Sequence, residues 1–354
     1  MDGERVEVVE NNEYLGQIVS DVQQEQKNVD LRLRKGRDSL FNLLGSAFAY
    51  KCLLSPAVKL HLYQTFVCPI LRSGLSSFVL RENTLESLSI FQRKTLRSIL
   101  KLSKNATNPA LYFLCGDLPI EGKLHRYVFS LFYSVWANPE SKIYEVVKYL
   151  ISNSCNNSRT WSVFLKQLAE KYSLEDPMKC LNKDAPSKSQ YKECVMTKIT
   201  AFHENVLRNQ SASNSCMKYL NVSVTGLRGR RHAAISGLFT TDKVKESRCH
   251  IKMLCGDYLT YSKKSSQSGG SGHCRARGNE NSEEDILHIL TQCIQYTDLR
   301  ETKLKEMSKL CETDGNLNFN LLSENAADLC QFLLDPTSLN LKQRINPVDP
   351  NLSK

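Results

Sequence analysis

The sequence predicts a mainly α protein: a short N-terminal β-hairpin followed by helices. Apolar residues recur at helical spacing through much of 21–330, most clearly in 55–104. Alternation that is typical of paired strands occurs near the N-terminus, in 4–20. Polar, turn-rich breaks at 152–158 and 183–189 interrupt the helical part. A second major sheet in the structure would contradict this prediction.

The predicted hairpin covers residues 4–20. Residues 6–8 alternate between apolar and polar side chains, Asn11 and Asn12 follow, and a second apolar segment occupies 14–19. Alternation of this kind, interrupted by turn-forming residues, predicts two antiparallel strands joined by a short connection.

A first helix is predicted over 28–50, with one apolar face and a basic start. The residues expected to be buried are Leu33, Leu40, Leu44 and Phe48. The basic residues are Arg32, Arg34, Lys35 and Arg37. Such a cluster can lie against a sugar–phosphate backbone without reading bases. A surface that only keeps the protein in solution is the alternative.

Residues 55–104 predict two amphipathic helices. In the first, Ser55 and Pro56 form a helix start, because a capping hydroxyl precedes proline at the first helical position. Pro69 predicts a kink, and Gly74 closes the last turn. The apolar face that this helix must bury comprises Leu60, Tyr63, Phe66, Val67, Ile70 and Leu71.

The second of these helices has an apolar stripe and a basic stripe. The apolar residues are Leu85, Leu88, Leu96, Ile99 and Leu100. The basic residues are Arg93, Lys94, Arg97 and Lys101, which fall within an arc of about 100° at the helical repeat. This arrangement suits a helix that packs on a core while facing phosphates. The solvated face of an ordinary bundle helix is the alternative.

A further basic segment lies near residue 226. The sequence LRGRRH places Arg228, Arg230 and Arg231 around a glycine. Arginines on a flexible backbone can contact phosphates, so this segment is a candidate for nucleic-acid binding. A loop with ordinary surface arginines is the alternative.

Three segments carry specific motifs in a fixed order. They are LSPAVKLHLYQTFVCPILRSG, then LESLSIFQRKTLRSILKL, then NPALYFLCGDLPIEGKLHRYVFSLF. Together they resemble the region after the catalytic palm in reverse transcriptases of non-LTR (LINE-type) retrotransposons. The resemblance covers about 14–136, and a weaker similarity continues to about residue 306.

The resemblance implies a division of the chain. Residues 1–20 would be a remnant of the palm with its primer-grip hairpin, in which Tyr14, Leu15 and Gly16 lie beside the primer end. Residues 21–151 would form a thumb-like helical bundle that closes over the template–primer duplex. Residues 159–330 would form a helical C-terminal region, and 331–354 a tail.

The resemblance also implies a zinc-binding element at 274–293. Cys274, His288 and Cys293 match three of its four ligands, and Arg277 occupies the place of the second cysteine. Arginine has no lone pair to offer a metal, so a closed tetrahedral site lacks one ligand. No cofactor is therefore expected for this chain, with zinc as the open alternative.

The carboxylates that polymerisation needs are missing from the sequence. Reverse transcriptases hold two divalent metals with palm carboxylates, two of which form an adjacent Asp pair. That pair is expected before Tyr14, and the chain contains no Asp-Asp dipeptide. No phosphate-cradling Gly-Lys-Ser/Thr loop is present either. We therefore expect no enzyme activity from this chain alone, whereas a longer product with a palm would restore the polymerase option.

Composition favours an anionic partner inside the cell. The formal net charge of +10 predicts RNA, DNA or an RNA–DNA duplex as the partner. No apolar stretch is long enough to span a bilayer, so no membrane partner is expected. The thirteen cysteines form no Cys-x-x-Cys pair, which favours a nuclear or cytoplasmic location over secretion. Protein partners stay unknown.

Two functional hypotheses follow. The first is a truncated protein derived from a retrotransposon reverse transcriptase, without a catalytic palm, that binds RNA or DNA without sequence preference. The second is a helical protein-interaction module whose affinity for anions is incidental. A fragment of an active RNA-directed DNA polymerase is a more distant third.

Overall fold

The computed structural model of the chain describes residues 11–20, 22–49, 54–153, 159–214, 217–222, 225–236, 241–258, 260, 272–274, 276, 282–314 and 325–336. Within these ranges the protein is mainly helical, and its one sheet has two strands. The predicted mainly α class with an N-terminal hairpin is therefore confirmed. Among the described helices, none combines the length and the apolar character needed to cross a bilayer.

The hairpin consists of β1 (Asn11–Tyr14) and β2 (Gln17–Ser20), which pair antiparallel with Tyr14 opposite Gln17. The turn is Leu15–Gly16, so the expectation that Asn11 and Asn12 separate the two strands is wrong. Leu15 and Gly16 have φ values of 49° and 77°. Two consecutive left-handed residues make a turn whose twist matches that of the strands. Residues 4–10 lie outside the described residues.

Helices account for the rest of the fold. The α-helices of the described residues are α1 (Gln24–Ala49), α2 (Pro56–Leu62), α3 (Cys68–Arg72), α4 (Glu82–Leu100), α5 (Asn108–Cys115), α6 (Ile120–Trp136), α7 (Lys142–Ser152), α8 (Trp161–Lys171), α9 (Pro177–Leu181), α10 (Lys188–Ala212), α11 (Ala233–Ser236), α12 (Thr241–Leu254), α13 (Thr297–Asp314) and α14 (Ala326–Leu334). Single π-helical turns occur at Tyr63–Val67 and His288–Gln292, and short 3₁₀ turns at Leu75–Ser77 and Ile294–Tyr296.

Helix α1 begins before the predicted residue 28 and packs closely on its neighbours. Leu33 is buried and Leu40 is half-buried. A Cβ atom on Gly36 would lie 2.6 Å from Leu71 Cδ2, so only glycine lets α1 approach α3 this closely. Leu44 and Phe48 were also predicted to be buried, but their side chains lie outside the described part of the structure.

The predicted helix start at Ser55 is confirmed, because the Val58 amide donates to Ser55 Oγ at 3.3 Å. The predicted burial of Phe66 is wrong: its side chain is 49% exposed. A π turn at Tyr63–Val67 also interrupts the regular helix ahead of Pro69. The burial of Tyr63 and Val67, which the same pattern predicted, is confirmed.

The core is continuous from α1 to α14 through the described residues. Helix α10 packs on α6 and α5, across the predicted boundary at 152–158. The division into a thumb and a C-terminal region stays a prediction. Residues 331–334 of the predicted tail belong to α14, and 337–354 lie outside the described residues.

A distant contact secures the connection between α4 and α5. The backbone amide of Ser103 donates to Asp257 Oδ2 at 2.7 Å, and the Ser103 hydroxyl also contacts that carboxylate. The connection is therefore held by a segment 154 residues further along the chain.

Candidate nucleic-acid interface and metal centre

The hairpin is bound to α1 by side chains of the predicted basic cluster and by Asn28. Arg32 is buried, and its Nη2 donates to the Gly16 carbonyl at 2.7 Å. The Asn28 side chain makes two hydrogen bonds with the backbone of Ile18. Its Oδ1 accepts from the Ile18 N–H at 2.9 Å, and its Nδ2 donates to the Ile18 carbonyl at 2.7 Å. Burial lowers the pKa of the Arg32 guanidinium, and Glu13 opposes that shift. Arg32 therefore supports the hairpin and does not face solvent.

The predicted primer-grip residues form the exposed tip of the hairpin. Tyr14 and Leu15 are 65% and 86% exposed. Lys35 forms an ion pair with Glu13, with Nζ and Oε1 3.0 Å apart, just below this tip. Arg34 and Arg37 are exposed on α1, and neither has a hydrogen-bond or ion-pair partner in the described parts of the chain.

The four predicted basic residues of α4 differ in their contacts. Arg93 pairs with Glu86 at 2.5 Å. Arg97 Nη2 donates to the Ala106 carbonyl at 2.9 Å and to an Asn108 side chain. Arg97 thus fastens the connection after its own helix and is not a free cation. Whether these arginines also contact nucleic acid stays a prediction.

The remaining cations of α4 lie on its solvent side. Lys94 is exposed and has no hydrogen-bond or ion-pair partner among the residues that the structure describes. Lys101 is exposed at the C-cap, where its φ of 57° is left-handed. The helix thus presents fewer unpaired cations than its sequence pattern predicts.

The segment 226–231 docks on the end of α5. Gly229 donates its amide to the Gly116 carbonyl at 2.8 Å. Arg228 pairs with Glu193 at 2.8 Å. Arg231 donates to the Ala57 carbonyl and to Gln64 Oε1, both at 3.2 Å. Arg230 is exposed.

The structure brings together the three predicted metal ligands. Cys274, His288 and Cys293 are all buried, and their ligand atoms lie within 4.8 Å of one another. The π turn explains part of this arrangement, because the Cys293 amide donates to the His288 carbonyl at 2.7 Å and closes one turn between the two ligands. Cys274 is held by its own amide, which donates to the Ser282 carbonyl at 2.9 Å.

The geometry of these residues fits zinc. The two sulfur atoms are 3.7 Å apart. Two thiolates bound at the usual ~2.3 Å to a tetrahedral ion lie about 3.8 Å from each other. Both ring nitrogens of His288 are buried without a hydrogen-bond partner, which a metal would relieve. Arg277 lies outside the described residues, so the candidate ligands among the described residues are Cys274, His288 and Cys293.

A buried polar network joins two of the motif segments, and sequence reasoning did not identify it. Gln92 Nε2 donates to Asp117 Oδ2 and to the Leu118 carbonyl, both at 2.9 Å. Gln92 Oε1 accepts from the backbone N–H of Ile120 at 2.6 Å. This N–H is at the N-terminus of α6 and has no acceptor within the helix. Lys123 Nζ lies 2.7 Å from both Asp117 oxygens. Although burial, the largest influence, lowers the pKa of Lys123, Asp117 and Cys68 together raise it.

A second buried cluster was also missed. The Tyr172 hydroxyl lies 2.6 Å from His125 Nδ1 and 3.2 Å from His203 Nε2. Burial lowers the pKa of His125 to about 3 and that of His203 to about 4. Both imidazoles are therefore neutral near pH 7. Their residues come from α6 and α10, so no local sequence pattern could have joined them.

Comparison with protein-family models, curated proteins and solved structures finds no match for this chain. The reverse-transcriptase ancestry therefore stays a prediction that depends on the motifs themselves.

Proposed function

We propose that this chain is a catalytically empty, reverse-transcriptase-derived protein that holds RNA, DNA or an RNA–DNA duplex by its phosphates. The observation that carries the proposal is a set of exposed cations on α1 and α4. Arg34, Arg37 and Lys94 have no hydrogen-bond or ion-pair partner in the described ranges. We call these three residues the open cation set.

The open cation set lies on two helices that pack together. A Cβ atom on Gly36 would lie 3.7 Å from Phe91 Cζ, which marks the contact between α1 and α4. Arg37 and Lys94 are within three residues of that contact along the chain. Unpaired cations on a protein surface can displace the counterions of a nucleic acid. Contacts of this kind orient the nucleic acid without reading its bases.

The proposal includes no polymerase activity for this chain. No adjacent Asp pair occurs in its sequence, and two-metal catalysis needs carboxylates in that arrangement. We expect no primer extension with template, triphosphates and either magnesium or manganese. Extension that survives purification and disappears on a point mutation within this chain would contradict the proposal.

The salt dependence of binding tests the proposal. Each phosphate contact contributes roughly 0.7–0.9 to the log–log slope of affinity against salt concentration. Replacing Arg34, Arg37 and Lys94 by glutamine should therefore flatten that slope by about two to three. Filter binding of an RNA–DNA duplex at several salt concentrations measures both proteins.

A matched control removes three other exposed cations. Lys142 on α7 and Lys305 and Lys309 on α13 are exposed, with no hydrogen-bond or ion-pair partner among the described residues. Their triple glutamine variant has the same net charge as the test variant, so it should keep the wild-type slope. Equal slopes for the test variant and wild type would remove the nucleic-acid function from the open cation set.

A protein-interaction module is the second candidate, and α7 favours it. Ile143, Val146 and Tyr149 are 62%, 56% and 67% exposed on this helix. An apolar helix face of this kind is typical of helix-mediated association. This function predicts self-association in sedimentation experiments that Val146→Glu abolishes, together with nucleic-acid binding that is indifferent to the open cation set.

A further inference from the structure

Helices α6 and α10 line an open cavity of about 140 Å³. Arg126, Tyr127 and Ser130 line it from α6, and Tyr191 and Lys192 line it from α10. We call this space the α6–α10 cavity. Its volume is below the roughly 300–1,000 Å³ of sites for drug-sized ligands, so it suits a compact group.

Arg126 is the unusual residue of the cavity. Its side chain is half-buried, and it has no hydrogen-bond or ion-pair partner among the described residues. Burial lowers the pKa of Arg126. Tyr127 raises this pKa, whereas the guanidinium of Arg72 lowers it. A charge that is partly removed from water without a partner costs free energy. The fold therefore keeps a cation where it does not stabilise the protein.

The surroundings of Arg126 do not neutralise its charge. The charge of Glu193 raises the pKa of Arg126, but Arg228 already binds this carboxylate at 2.8 Å. The guanidinium of Arg72 lies 4.7 Å from the centre of the Tyr127 ring and adds a second positive charge. Lys192 is exposed and has no partner in the described parts of the chain. The cavity thus combines excess positive charge with hydrogen-bond donors.

The cavity wall is preformed. Tyr191 stacks on Tyr133, with ring centroids 5.0 Å apart and an interplanar angle of 25°. This stacking fixes α10 against α6 without any ligand. An aromatic wall also lowers the local dielectric constant, which strengthens the attraction between a bound anion and the cations.

We propose that the α6–α10 cavity is a binding site for a terminal phosphate group, that is, inorganic phosphate or a phosphate monoester. Arg126 would hold two phosphate oxygens with its planar guanidinium, and Lys192 would supply a further cation from the opposite helix. A phosphate monoester carries about −1.5 to −2 charges near pH 7, which matches this excess of positive charge better than a single carboxylate. The source is either free phosphate or the 5′-terminal phosphate of an oligonucleotide. The site shares no residue with the open cation set, so either proposal can fail alone.

Calorimetric titration with inorganic phosphate at constant ionic strength tests the site. Wild-type protein should bind phosphate, and Arg126→Met and Lys192→Gln should each weaken binding by about tenfold or more. Lys305→Met and Lys142→Gln remove exposed cations elsewhere and should bind as wild type does. No binding by wild type, or equal binding by all five proteins, would overturn the proposal.

Thermal unfolding distinguishes an arginine that binds phosphate from one that only stabilises the fold. In phosphate-free buffer Arg126→Met should raise Tm, because it removes a partly buried charge without a partner. Phosphate should then raise the Tm of wild type more than that of Arg126→Met, because the variant binds phosphate more weakly. An equal response of both proteins to phosphate would overturn the assignment to Arg126.

Competition between two short RNAs identifies the source of the phosphate. Preference for a 5′-phosphate over a 5′-hydroxyl end, lost in Arg126→Met, supports the site with a nucleic-acid end as its ligand. Equal affinity for the two ends, together with calorimetric binding of inorganic phosphate, supports the site with a free phosphate as its ligand.

Discussion

The Gln92 side-chain amide lies 2.9 Å from Asp117 Oδ2, inside the protein core. This contact joins the Phe-Gln-Arg segment of α4 to the Gly-Asp-Leu-Pro-Ile segment before α6. Because Gln92 also accepts from the Ile120 amide, one side chain fixes both the Asp117 carboxylate and the start of the next helix. Two of the motifs that suggested a nucleic-acid enzyme therefore have a structural role in this chain.

Breaking the buried ion pair should be costly. Lys123→Met leaves the Asp117 charge buried without its cation, so we expect a loss of about 3–5 kcal/mol in the free energy of unfolding. Adding Asp117→Asn removes the second charge and should recover part of that loss. Urea denaturation measures all three proteins. As a control, Lys303→Met breaks an exposed pair with Glu306 on α13 and should change little.

The same pair has a pH signature on the alkaline side. Since the pKa of Lys123 is raised in the folded protein, its stabilising effect is complete below the ordinary lysine value of about 10.5 and is lost as pH rises through the folded value. Lys123→Met should lack this alkaline loss. If the variant and wild type lose stability in parallel above that pH, Lys123 is not the group responsible.

The buried histidines should govern stability at mildly acidic pH. The folded pKa values of about 3 for His125 and about 4 for His203 lie below the ordinary value, so the unfolded chain takes up protons first as pH falls below about 6.5. Between pH 6.5 and 4.5 the free energy of unfolding should fall with a slope that approaches roughly 1.4 kcal/mol per pH unit for each histidine.

Replacing one histidine should halve that slope. His125→Gln keeps a group that can bond the Tyr172 hydroxyl but cannot titrate, whereas His61→Gln alters an exposed histidine on α2 and should leave the slope unchanged. Urea denaturation at several pH values gives the slopes. Burial raises the pKa of Glu121, but Lys171 outweighs burial and lowers it, so that residue contributes only below this range. A wild-type slope in His125→Gln would contradict the assignment.

The hairpin tip offers a test that separates stability from binding. Leu15 is 86% exposed in a left-handed conformation that asparagine adopts more easily. We therefore expect Leu15→Asn to raise the free energy of unfolding by about 1 kcal/mol. Val19→Asn, at an exposed strand position, should not stabilise the protein. If the tip contacts a nucleic acid, the Leu15 variant should bind it more weakly while being more stable.

Zinc content tests the metal centre. With three protein ligands the purified chain should hold less than one equivalent of zinc, and Arg277→Cys should raise that content by restoring a fourth ligand. His288→Gln should lower it, whereas Cys194→Ser, at an exposed position on α10, should leave it unchanged. Atomic absorption after dialysis measures the metal. A full, tightly held equivalent in wild type would mean that another residue completes the site.

Sequence patterns predicted the helices and strands more accurately than they predicted the contacts of polar side chains. Local spacing located the helices and the Ser55 cap because these depend on neighbours along the chain. The burial of Phe66 was mispredicted: at the helical repeat Phe66 lies about 120° from Leu60, at the edge of the apolar face, where tertiary contacts decide burial. Arg32 and Arg97 matched the basic stripes, yet carbonyl groups from other segments hold them. The three candidate metal ligands were predicted from a motif and not from a periodicity, and the structure brings them together.

The contact between Ser103 and Asp257 has a consequence for synthesis on the ribosome. Its two partners are separated by 154 residues. At about 5–20 residues per second, a ribosome needs roughly 8–30 s to translate that interval. For that time the end of α4 exists without the carboxylate that holds its connection to α5. A chaperone that binds the emerging chain in this interval would encounter the α4–α5 connection before Asp257 has been synthesised.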